Sequence, residues 1–74
     1  MRFEHDFIFL GARSREYEGK VYHTAVIMTG GRVYQVRSVD ACDGLAECTP
    51  CVGTFFYREY DGKGKLQLVD VVAA

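Results

Sequence analysis

Apolar and polar residues alternate along this chain in short runs separated by glycine-marked turns, and five such runs predict five strands. The first, about His5 to Ala12, sets Phe7, Phe9 and Gly11 on one face and Ile8 and Leu10 on the other, a segment apolar on both sides that suits a barrel wall or an interface. A polar, charged loop is predicted from Arg13 to Gly19. The second and third runs, about Lys20 to Thr29 and Arg32 to Val39, flank Gly30-Gly31, a pair free to take the positive φ angles of a tight primed hairpin turn. From Asp40 to Cys51 the alternation stops, and this stretch holds Gly44 and the single proline, Pro50. A fourth strand, Val52 to Tyr60, is dense in aromatics (Phe55, Phe56, Tyr57, Tyr60), and Asp61-Gly62-Lys63-Gly64 turns the chain into a fifth, Lys65 to Val72.

A three-strand meander, a longer connection and a closing hairpin make up the layout of the five-stranded OB barrel, in which a loop or helix joins the third and fourth strands. The expectation is therefore an all-β fold, a five-stranded OB-like small barrel forming one domain over residues 1–74. Asp40 to Glu47 would supply either a loop or one short helical turn, with Asp40 as its N-cap. Another small barrel of the same strand count, of the Sm-like kind, fits the pattern of runs as well.

Composition adds a constraint on assembly. A chain of 74 residues buries a thin core and is usually helped by a metal, disulfides or a second copy of itself. Its hydrophobic share, 49%, exceeds what strands hiding one face each would use, so a homodimer is expected. No window approaches the roughly 18 to 20 apolar residues of a membrane span. The start, Met1-Arg2-Phe3-Glu4-His5-Asp6, carries acids where a signal peptide carries positive charge, which points to a cytoplasmic protein with no membrane partner.

Net charge is −1, which by itself disfavours phosphate binding, but the charges are unevenly placed. Between Arg13 and Arg37 lie five bases (Arg13, Arg15, Lys20, Arg32, Arg37) against two acids (Glu16, Glu18). From Ser38 to Phe56 there are Asp40, Asp43 and Glu47 and no base. A binding face can sit inside such an average.

Catalytic signatures are weak. Ser14, Ser38 and the threonines have no adjacent base or elbow glycines, and Gly62-Lys63-Gly64-Lys65 joins two strands rather than opening a helix. Glu16 with Glu18, and Glu59 with Asp61, fall in or beside polar loops and read as solvated. Cys42, Cys48 and Cys51 make C-x5-C-x2-C, which could hold zinc with His23 or His5 as a fourth ligand; a single C-x-x-C knuckle and an odd number of thiols favour reduced cysteines without metal. His23, mid-strand among apolar residues, reads as a hydrogen-bonded, partly buried histidine. No catalytic residue, metal or cofactor is assigned.

The aromatic and basic residues are better motivated. Tyr22 and Tyr34 fall on adjacent strands, and pairing across Gly30-Gly31 is expected to bring them near one edge, where rings stack bases while Arg13, Arg15, Lys20, Arg32 and Arg37 meet phosphates. The ordered set Gly19-Lys20-Val21-Tyr22, Val33-Tyr34 and Gly64-Lys65-Leu66-Gln67-Leu68-Val69-Asp70 resembles the small OB-fold single-stranded DNA-binding proteins typified by the filamentous phage gene V protein, including related accessory proteins of conjugative elements. The resemblance runs loosely from about Glu16 to Val71. It implies DNA contacts by Tyr22, Tyr34 and Arg37, an approximate match for Arg13 and Arg15, and a homodimer. Asp61-Gly62-Lys63 replaces the aromatic that the family carries at its last hairpin tip, and the cysteine loop has no counterpart in the phage protein. The expected function is single-stranded DNA binding with little sequence preference and no catalysis. The competing expectation is a protein-interaction or regulatory module using the fourth and fifth strands, with zinc in the cysteine loop as a variant of it.

Overall fold

The computed structural model describes residues 1–39, 41–42 and 44–74, with Tyr60 as backbone only. Five strands follow one another: β1 (Arg2–Tyr17), β2 (Lys20–Thr29), β3 (Arg32–Ser38), β4 (Thr49–Tyr60) and β5 (Lys63–Ala73). They close into a barrel in the order β1-β2-β3-β5-β4, with β4 returning to pair with β1, as expected for an OB-like fold. All pairings are antiparallel except β3 with β5, which is parallel and made through Arg37↔Gln67 and Ser38↔Leu68.

The first strand departs most from the sequence expectation. Residues 13–17, read as a loop from their charge, continue β1 instead, and the turn shrinks to Glu18 and Gly19, both at positive φ (51° and 78°) as in a type I′ hairpin. One strand of 16 residues can serve two neighbours. Its first half, Arg2 to Phe9, pairs with β4, and its second half, Ile8 to Tyr17, pairs with β2. The change of neighbour coincides with a bulge between Phe9 and Gly11, the device that bends a strand around a barrel. That extra residue moves Gly11 onto the outer face with Ile8, not the inner face with Phe7 and Phe9, because Gly11 pairs with outward Val26.

The other boundaries shift less. β2 runs as expected, β3 ends at Ser38, β4 begins early enough to include Thr49 and Pro50, and β5 spans Lys63 to Ala73. Pro50 is tolerated because it sits at the start of β4, opposite Ile8. Residues 41, 42 and 44–48 form turns without a helix; Asp40, the expected N-cap, lies outside the described residues, as does Asp43. The connection is tied down where the Cys48 N–H donates to the Phe9 carbonyl at 2.7 Å.

Inside the barrel are Phe7, Phe9, Ala25, Ile27, Val36, Cys42, Cys51, Phe55 and Leu68. Each large apolar side chain here stabilises by about 1.5–3 kcal/mol relative to exposure. Phe7 meets Phe55 edge-on at 5.9 Å, and Gly53 makes room for both: a Cβ there would come within 2.5 Å of Phe7 and 2.8 Å of Leu68. Among the described residues no helix is long and apolar enough to cross a membrane.

Candidate functional site

The bulge decides which side chains of β1 face outward. Counting by twos from buried Phe9, Arg13 and Arg15 would point into the barrel; the extra residue reverses the phase. Arg13 then lies opposite Thr24, and Thr24 opposite Arg37, giving one outward row across three strands. Arg15 lies opposite Tyr22 in the neighbouring row. The Arg37 guanidinium sits over the Tyr22 ring, 4.7 Å from its centroid. Such a pair is attractive by about 0.5–1 kcal/mol at an exposed site and holds both groups in one orientation.

These residues line a shallow depression of about 680 Å³, formed by Arg13, Ser14, Arg15 and Tyr17 of β1, Tyr22 and Thr24 of β2, and Gln35 and Arg37 of β3. Three arginines and two tyrosines face it and, among the described residues, no acidic side chain does. Four of the seven sequence-predicted residues therefore meet: Arg13, Arg15, Tyr22 and Arg37. Lys20 is exposed at the hairpin tip opposite Tyr17, outside the depression.

Tyr34 and Arg32 go elsewhere. Tyr34 pairs with buried Ile27, on the inner phase of β3, so Tyr22 and Tyr34 do not share an edge. The five-residue offset between Tyr34 and Val39, the position beyond Ser38 in that register, places the two tyrosines on opposite faces. Tyr34 lines a cleft of about 270 Å³ with Phe3, His5, Ile27, Phe55 and Leu66. Arg32 pairs with Thr29 at the far end of the hairpin.

A second depression, about 420 Å³, adjoins the first at Arg37 and is completed by Phe56, Arg58, Lys65, Leu66 and Gln67. Arg58 lies over the Phe56 ring at 5.3 Å. Apart from Arg37, sequence reasoning assigned none of these residues, although alternation along the β4–β5 hairpin separates Phe56 and Arg58 from inward Phe55 and would have grouped them with Lys65 and Gln67.

Cys42 and Cys51 are buried, Cys48 is exposed, and none of the three is in a disulfide. Burial pushes the Cys51 thiol above its usual value, nearby Cys42 adds to that rise, and a backbone hydrogen bond opposes it. Among the described residues no three His, Cys, Asp or Glu side chains gather as a metal site would require. His23 Nδ1 is 2.7 Å from Ser14 Oγ, and His5 Nε2 is 3.1 Å from Thr29 Oγ1. No family model matches the chain, and no curated protein or solved structure shows significant similarity to it.

Proposed function

We propose that this protein binds single-stranded DNA on the outer face of β1, β2 and β3, with little sequence preference and without catalysis. The observation that carries this reading is the Tyr22–Arg37 pair, set in a depression with Arg13 and Arg15 that no acid among the described residues lines. A ring held by a guanidinium on one side has its other face for a base, while the flanking arginines meet phosphates. Gln35 and Thr24 supply neutral hydrogen-bonding groups and no fixed base code. Fluorescence anisotropy with a labelled oligothymidine tests it. Binding at low salt that weakens steeply as salt rises is expected, and absence of binding at low salt overturns the reading.

A second reading, a protein-interaction module, is favoured by a different feature. β3 meets β5 at its C-terminal end, through Arg37, Ser38 and the Val39 N–H donated to the Leu68 carbonyl, and among the described residues no strand pairs with Arg32 to Val36 on that side, beside the cleft that exposes Phe3, Tyr34 and Leu66. A second copy of the chain seated there would make the homodimer and leave the outer face of β1–β3 accessible. Sedimentation analysis distinguishes monomer from dimer.

A further inference from the structure

Arg37 lines both outer depressions, and the residues on its far side repeat the chemistry of those on its near side. We propose that the bound strand continues from Tyr22 past Arg37 and Gln67 onto β4, where Phe56 is a second stacking position and Arg58 and Lys65 are its phosphate contacts. This rests on the single-strand reading above and extends it from one face to a path around the barrel.

Register supplies the path. Thr24 faces Arg37, Arg37 faces Gln67, and Gln67 faces Phe56, so four neighbouring strands contribute one continuous outward row. In the adjoining row Arg58 faces Lys65. Phe56 is half-buried beneath the Arg58 guanidinium, as Tyr22 is half-buried beneath Arg37. An apolar ring at that place has no core to fill, since its neighbour Phe55 occupies the interior.

Charge keeps the path on this row. Among the described residues no acidic side chain lines the second depression. Farther along the outer side of β4, Thr54 lies between Glu4 and Asp70, so a phosphate chain is disfavoured in that direction and directed along the Arg37–Phe56 row. Three strand intervals separate β2 from β4, about 14 Å, which is about four nucleotides at a stacked rise of about 3.4 Å. One barrel would then need more than about four nucleotides to fill both positions, within the span of about 4 to 16 known for OB folds.

Oligothymidines of about 4 and about 12 nucleotides provide the test, since only the longer reaches both rings. Phe56→Leu, which keeps an apolar side chain, should weaken binding of the longer oligonucleotide by about tenfold and change the shorter by less than about twofold. Arg58→Gln and Lys65→Gln should each lower the salt slope for the longer one by about 0.7. If Tyr22→Ala weakens the longer oligonucleotide while Phe56→Leu and both charge variants leave it unchanged, the extension is wrong and the single-face reading stands. Equal losses at both lengths from Phe56→Leu would also overturn the extension, and binding indifferent to Tyr22 and Phe56 alike would overturn both. Circular dichroism of each variant confirms that the barrel is retained.

Discussion

Arg37 is the residue on which the outer face turns: it covers Tyr22, extends the row begun by Arg13 and Thr24, and borders the second depression. Its partner ring should therefore respond to substitution as a stacking platform. Tyr22→Ala is expected to lose about 1–3 kcal/mol of single-strand affinity with the fold intact, whereas Tyr34→Ala, on the inner phase, should leave affinity nearly unchanged. Anisotropy titrations of the two folded variants check this, and the reverse order would move the site to the Tyr34 cleft. Gly53 is constrained by packing rather than by φ. Gly53→Ala would drive a methyl group into the rings of Phe7 and Phe55 and the Leu68 side chain, none of which can leave the core, and should destabilise by about 1–3 kcal/mol in urea unfolding. Cys51 adds a pH effect. Its folded-state thiol is raised above the ordinary 9.0 by burial, so the unfolded chain releases that proton first, and the associated stability is present below 9.0 and lost as pH climbs above it. Thermal unfolding of the native protein on either side of that value should show an alkaline drop that is smaller in Cys51→Ala.

At the scale of elements, β1 holds the largest difference between reading and fold. Charge density in Arg13-Ser14-Arg15-Glu16 resembles a loop, yet this end of β1 is exposed on both faces and accepts such residues, and pairing to β2 supplies their backbone partners. The bulge at Leu10 leaves no local signature, because its cause is the change of neighbour from β4 to β2, a fact of tertiary pairing. By contrast, the Gly30-Gly31 turn and the limits of β2 were legible, since two glycines between alternating runs leave few other geometries. The same turn set the register that separates Tyr22 from Tyr34, a consequence that pairing across it predicts once residues are counted. Phe56 and Arg58 were hidden by the aromatic density of β4, in which Phe55 points in and Phe56 out. The phase reversal yields a direct expectation. Neutralising Arg13 or Arg15 as glutamine should each reduce the salt slope of binding by about 0.7, and Arg32→Gln should not. A slope that responds to Arg32 alone would place the phosphates at the opposite end of the hairpin.

For the molecule as a whole, a net charge of −1 conceals a barrel with two electrostatic sides. Arg13, Arg15, Arg37, Arg58 and Lys65 gather around the two adjoining depressions, while Glu4 and Asp6 of β1 and Asp70 of β5 lie in the outward phase farther along their strands. The linear sequence showed only the first part of this division, the excess of bases from Arg13 to Arg37, because Arg58 and Lys65 join it through the parallel β3–β5 contact. Single-stranded DNA binding is proposed at one location, the outer face of β1, β2 and β3. A titration of isotopically labelled protein with oligothymidine, followed by amide chemical shifts, tests it most directly. The largest shifts are expected at Arg13, Arg15, Tyr22, Thr24, Gln35 and Arg37; shifts confined to the cleft of Phe3, His5, Tyr34 and Leu66, or none at low salt, would contradict that location.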